Sequence, residues 1–219
     1  MNLTRIQSRV NRSTDQISSG LKVAAPSDAP DQISNILQIY TDLGRNAQIQ
    51  ANLNRIRSEA GTAESTLGTA IQIVDRARML AAQGVGTTQS AETRVILARE
   101  VQGLLEQLVT ASQTTVSGRY IFSGDQDEAP AYELNLANPN GVNRLSTAPA
   151  SRRIQHPSGT TFAAARTAQD IFDAQNPDDT LAPENVFAAL NGLRLALESN
   201  NPAGIDAWLA SLRARRETT

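Results

Sequence analysis

Leu3, Ile6, Val10 and Ile17 fall three, four and seven residues apart, with Ser13 filling the gap. That is a heptad seam weakened by one polar position, and it predicts a first helix. Gly20 ends it, because glycine takes the left-handed cap conformation freely. Residues 21–30 break the pattern. Pro26 and Pro30 bracket Ser27 and Asp28, either of which can cap the next helix, and Pro30 suits its first turn. A long helix is then expected from about 31 to about 83. Ile33, Leu37, Tyr40, Ala47, Leu53 and Ile56 begin its stripe. Ala60, Ala63, Leu67, Ala70, Val74, Ala77 and Ala81 continue it at four–three alternation. Gly44, Gly61 and Gly68 each cost about 1 kcal/mol relative to alanine but do not outweigh the period. Such a helix is roughly 80 Å long, and a helix of that length usually needs partner helices.

Gly84, Gly86 and the following Thr-Thr-Gln-Ser read as a turn. Ser90 caps a third helix, with Glu92 in its first turn to complement the dipole. Leu97, Val101, Leu104, Leu108 and Ala111 repeat the alternation, so the two long helices are expected to pack antiparallel. Near Gly118 the period changes. Residues 119–122, 142–145, 152–155 and 160–164 are strand-like, separated by Pro130, Pro139, Asn140-Gly141, Pro149, Pro157 and Gly159. Helical pattern returns with Pro183 in a first-turn position and a seam of Val186, Leu190, Leu193 and Leu197. Asn200-Asn201-Pro202 breaks it before a last helix bearing Ile205, Trp208, Leu209 and Leu212. The expected fold is mainly α: a long antiparallel, coiled-coil-like helical rod with a small β-rich subdomain inserted. Its expected parts are 1–20, an N-terminal helix; 21–116, the rod; 117–175, the β-rich part; and 176–219, the C-terminal helices.

Composition narrows the function classes. The 219 residues allow one large domain or two small ones, and the net charge is -2. No basic cluster tracks a phosphate backbone and aromatics are only 4%, so nucleic acid is not an expected partner. Cysteine is absent, which removes thiol catalysis, disulfides and thiolate metal sites together. No apolar run approaches the roughly 20 residues that span a bilayer, so no membrane partner is expected. Residues 1–20 are polar and carry no apolar signal core, so a cleaved signal peptide is not expected either.

Chemistry has few candidates. The one histidine, His156, sits before Pro157-Ser158-Gly159 and reads as an exposed turn residue. Without cysteine it makes no ordinary zinc site, and no nucleophile elbow accompanies it. Asp125, Asp127 and Glu128 cluster after Gly124. As a calcium loop they fail, with Pro130 where glycine is required and Leu136 where a bidentate Glu is required. They read as a solvated loop. No phosphate-binding or dinucleotide fingerprint is present. No cofactor, no metal and no enzymatic activity are expected.

Three stretches resemble the bacterial flagellin superfamily. Ser19-Gly20-Leu21-Lys22, then Pro26-Ser27-Asp28-Ala29-Pro30, is similar to the family's end of the first helix and start of the second. Gly118-Arg119-Tyr120-Ile121-Phe122-Ser123-Gly124 is similar to its helix-to-strand change. Arg152-Arg153-Ile154-Gln155, Gly159-Thr160 and Ala168 to Phe172 are similar to its arginine-led strand, Gly-Thr hairpin and lead into the C-terminal helices. The Pro-Ser-Asp-Ala-Pro and Gly-Arg-Tyr-Ile-Phe forms resemble the hook–filament junction branch of the family more than the filament-forming one. Ala168 replaces the usual glycine.

The resemblance implies a secreted structural subunit that leaves the cell by flagellar type III export without a cleaved signal. It implies a ring of identical copies, contacts with a neighbouring hook-associated protein and with flagellin, and an export chaperone. It also implies further helical residues at both ends, so the chain is expected to be shortened. The seam residues Leu3, Ile6, Val10, Ile17, Ile56, Leu67, Val74, Leu97, Val101, Leu104 and Leu108 are expected to carry packing and assembly contacts. The first helix is expected to fray or to pair with another chain, because exposed apolar stripes invite association. A filament flagellin and an extracellular adhesin-like helical module are the alternatives.

Overall fold

The heptad-spaced stretches are helices in the computed structural model, which describes residues 2–20, 33–86, 88–146, 153–155, 160–163 and 166–214. In chain order, α1 is Asn2–Ser19, α2 is Ile33–Val85 and α3 is Ala91–Ser112. Three antiparallel strand pairs follow among the described residues. They are β1 (Thr115–Val116) with β2 (Arg119–Tyr120), β3 (Tyr132–Leu134) with β4 (Val142–Arg144), and β5 (Arg153–Gln155) with β6 (Thr161–Ala163). Then come α4 (Ala168–Phe172), α5 (Val186–Glu198) and α6 (Pro202–Ala214). The fold is mainly α, with long helices and a small β region. The chain divides after Asn52, inside α2, into two compact units, 1–52 and 53–219.

In the second unit α2 and α3 run antiparallel. Arg76 pairs with Glu100, and the hydroxyls of Thr66 and Thr114 lie 3.5 Å apart. Ser90 starts α3 as its sequence position requires, its side chain accepting from the Thr93 N–H at 3.2 Å. The Glu92 carboxyl is held below its ordinary pKa by backbone hydrogen bonding and by Ser90. α3 also packs closely against α5. With a neighbour on more than one side, α3 buries Ala98, Leu105, Val109 and Ser112 in addition to the predicted Leu97, Val101, Leu104 and Leu108. The α2 seam differs from its reading for the same reason. Ile73 and Leu80 are buried there, whereas Val74 and Leu67 are half-buried. A Cβ added at Gly84 would overlap the side chains of Leu197 and approach Ile205, so α2 meets α5 and α6 at that end.

The C-terminal helices are set by asparagines rather than by proline. Asn185, not Pro183, caps α5, its side chain accepting from the Ala188 N–H at 2.9 Å. Pro183 therefore lies ahead of the helix and not in its first turn. α5 ends at a left-handed Asn200 (φ 51°), whose N–H bonds to the Leu197 carbonyl while the Asn201 N–H reaches that of Ala196. That double bond pattern satisfies the last carbonyls of the helix and turns the chain. Pro202 is then the first residue of α6, where its missing N–H costs nothing.

The strand region is smaller and more divided than its pattern predicts. β1 and β2 are joined by Ser117 (φ 52°) and Gly118 (φ 76°), a two-residue turn whose two positive φ values match the strand twist. Ile121 and Phe122, read as strand, are instead a buried turn. β3 and the five-residue α4 have no counterpart in the sequence reading. Phe122, Phe172, Phe187 and Tyr132 form a continuous aromatic core, with neighbouring ring centroids 5.9, 5.9 and 5.2 Å apart.

Gly141 seals this core against α3 and α5. Its φ is +77°, and an added Cβ would fall 2.7 Å from Leu105 and 3.1 Å from Asn191. Gly141→Ala is expected to cost about 2 kcal/mol, combining a left-handed alanine with an overlap against packed side chains. Urea unfolding of the variant, with an unchanged m-value, measures it.

Candidate assembly surface and the loops that support it

The predicted seam residues divide into three groups in the structure. Leu97, Val101, Leu104 and Leu108 are core. Ile56, Leu67 and Val74 are half-buried. Leu3, Ile6, Val10 and Ile17 are exposed, at 75%, 57%, 57% and 83%. α1 is thus a formed helix with its apolar stripe open. On the first part of α2, Leu37, Ile39, Tyr40 and Leu43 are also exposed. Ordinary solvated helices scatter such residues singly, and contiguous apolar faces mark interaction surfaces. An amphipathic helix whose apolar positions keep a three–four spacing presents a seam suited to another helix.

The residues that carry the family resemblance are local devices of the backbone. Gly20 closes α1 at φ 68°, and the Ser19 hydroxyl donates to the Asp15 carbonyl. Pro26, Ser27, Asp28, Pro30, Gly159 and His156 lie outside the described residues. Arg153 is in β5 and pairs with Ala163. The segment from Gly118 to Gly124 folds back on Asp127. The Arg119 Nη1 donates to Asp127 Oδ1 at 2.7 Å, and the Tyr120 N–H donates to the Asp127 carbonyl at 2.9 Å. Tyr120 is half-buried, Ile121 and Phe122 point into the core, and Gly124 turns at φ 62°. The Ala168 N–H then bonds to the Phe122 carbonyl at 2.7 Å, which places Phe172 against Phe122. Asp127 is only 4% exposed, so the acidic cluster is not simply a solvated loop: one of its members is buried to hold the arginine.

A second set of polar residues escaped the sequence reading. Asp173 is fully buried and accepts from both the Nε and Nη2 of Arg144 and from Asn185 Nδ2 at 2.6 Å. Asn140 Nδ2 donates to the same oxygen as Asn185, at 3.4 Å. This carboxylate ties the β3–β4 pair to the cap of α5. Arg144 and Asp173 are 29 positions apart, so no local pattern marks them. Burial works to lower the Arg144 pKa, but the bonds and charge of Asp173 outweigh it and the net direction is upward. The Tyr132 hydroxyl is buried beside the pair with no well-formed hydrogen bond. Burial first, and then the Asp173 charge, push its pKa well above the ordinary value.

A raised phenol pKa favours the protonated, folded form. Its contribution is complete below the unfolded-state pKa near 10 and is lost as pH rises beyond it. Tyr132→Phe is therefore expected to flatten the alkaline fall in melting temperature while leaving neutral-pH stability nearly unchanged. Melts between about pH 8 and 11 check this.

Among the described residues no group of His, Asp and Glu could hold a metal ion, and no helix is long and apolar enough to cross a membrane. An open groove of about 630 Å³ lies between α2 and α3, lined largely by hydroxyl side chains and without a convergent set of titratable groups. The arrangement offers surfaces for packing.

Comparison with known proteins agrees with this. Residues 1–127 match the model of the bacterial flagellin N-terminal helical region. The flagellar hook-associated protein 3 of Salmonella typhimurium is 27% identical over 91% of this chain. The chain spans 64% of that relative's length. Flagellin A of Vibrio cholerae is 34% identical, over 58% of this chain and 34% of the flagellin. The crystal structure of the flagellar junction protein FlgL from Legionella pneumophila superposes with a TM-score of 0.57. It covers 85% of this chain and 96% of that one, at 17% identity, a likeness of fold alone.

Proposed function

Because this chain belongs to the bacterial flagellin family, we propose that it is a structural subunit that self-assembles at the hook–filament junction. The observation that carries the assembly role is the open stripe of Leu3, Ile6, Val10 and Ile17 on a fully formed helix. Four aliphatic side chains at heptad spacing gain several kcal/mol when a second helix covers them. The stripe is the means by which one subunit engages its neighbours. The likeness to hook-associated protein 3 supports the junction over the filament, since it covers 91% of this chain whereas the flagellin likeness covers 58%. In this reading the copies form a ring between a further hook-associated protein and the first flagellin subunits. They travel through flagellar type III export with a chaperone and work outside the cell without a cofactor.

The shared identity with flagellin keeps one other reading in view, a filament subunit. Gold labelling of an epitope-tagged full-length protein on native flagella separates the two. A single band of gold where hook meets filament is the expected result. Gold along the whole filament would make it a flagellin.

A further inference from the structure

We infer that α2 carries a bending joint between Ser58 and Thr69, set beside an open groove into which the helix can flex. Two glycines and three back-bonded threonines share this stretch. A Cβ added at Gly61 or at Gly68 would meet nothing within 4 Å. Neither glycine serves close packing in this chain, yet each weakens the helix relative to alanine. The hydroxyls of Thr62, Thr66 and Thr69 donate to the carbonyls of Ser58, Thr62 and Ser65 at 3.0, 2.9 and 3.2 Å. Bonds of this kind compete with the helical ladder and bend helices. Kinks in long helices concentrate where such insertions or glycine and serine loosen that ladder.

Packing changes at the same place. From Ala70 onward α2 buries Ala70, Ile73, Ala77, Leu80, Ala81 and Gly84. Between Gly61 and Thr69 it buries none, and Ala63 and Leu67 are only partly covered. Next to that stretch lies the groove of about 630 Å³, lined by Ser65, Thr66 and Thr69 on α2 and by Gly103, Glu106 and Gln107 on α3. A well-packed helical segment, a weakened one and empty space therefore coincide. Local opening is expected where buried apolar contacts are few. The joint does not depend on the flagellar reading. Within it, bending lets one end of a subunit follow its neighbours while the core of α3, α5 and α6 stays fixed.

The chain has no cysteine, so pairs of spin labels can be placed without background. Arg57→Cys with Arg99→Cys spans the joint, and Gln72→Cys with Arg99→Cys lies on the packed side of it. All three positions are exposed. The spanning pair is expected to give a distance distribution about twice as broad as the other. Gly61→Ala with Gly68→Ala should narrow the spanning pair, leave the other unchanged and raise the melting temperature by about 4 °C. Thr66→Ala with Thr69→Ala, which removes two of the back-bonds, should narrow it in the same direction. Equal widths in the unsubstituted protein would overturn the joint. So would an unchanged spanning width in a folded double-alanine variant of either kind.

Discussion

Asp173→Ala lowers the unfolding free energy by about 3 kcal/mol, because a half-buried guanidinium loses its counter-charge and a buried amide loses its acceptor. Arg144 loses both of its bonds to the carboxylate, and Asn185 loses its 2.6 Å acceptor. The damage reaches α5, because Asn185 is also the residue whose side chain caps that helix at Ala188. Folded domains are stable by only about 5–15 kcal/mol in all, so this is a large share of the total. The cost belongs to the stranded charge rather than to the pair as such. Asp173→Leu combined with Arg144→Met is therefore expected to recover much of the loss. Denaturant unfolding of the single and double variants, each with an unchanged m-value, measures both. A single variant within about 1 kcal/mol of the parent would remove the carboxylate from its place as the tie between the β3–β4 pair and α5.

Arg94→Met costs about 3 kcal/mol, because three oxygens lose a charged donor at once. Arg94 is buried, yet its partners are not carboxylates. Its Nε donates to the Gly84 carbonyl at 2.8 Å, its Nη2 to the Gly86 carbonyl at 3.0 Å and its Nη1 to Asn200 Oδ1 at 2.6 Å. One guanidinium thereby joins the end of α2, the turn before α3 and the left-handed residue that ends α5. Arg78 repeats the device nearby, donating to the carbonyls of Leu212 and Arg213 at the end of α6. Lysine has a compact head and no fork, so Arg94→Lys should recover less than half of the loss. Full recovery by lysine in thermal or urea unfolding would show that charge alone, and not the three-way geometry, is what the site needs.

What could be read beforehand depended on distance along the chain. The α3 heptads and the Ser90 cap were legible because period and cap are local signals, written within a few residues of one another. The stripe on α1 was equally legible as a pattern, and its residues are exposed in the structure. The width of the buried faces was not legible. A two-helix seam predicts Val74, whereas the shared core buries Ile73 and Leu80. β3 was missed because Tyr132-Glu133-Leu134 is three residues long and gains its place from pairing with β4. α4 was missed for a similar reason, although Thr167 and Asp170 form a capping box that marks its start. Pro183 carries an ordinary helix-start signal, but Asn185, two residues later, carries the stronger one and is the cap. The Asp173 and Arg94 ties bridge 29 and 106 positions, so only the fold brings their partners together.

The proposal that this chain is a subunit of the hook–filament junction is tested most directly by genetic complementation. The full-length gene would be expressed in a flagellated bacterium lacking hook-associated protein 3, and the cells examined by electron microscopy. Filaments restored on the hooks are the expected result. Bare hooks from cells that export the protein, together with restored filaments in a strain lacking flagellin, would contradict it and make the protein a filament subunit instead.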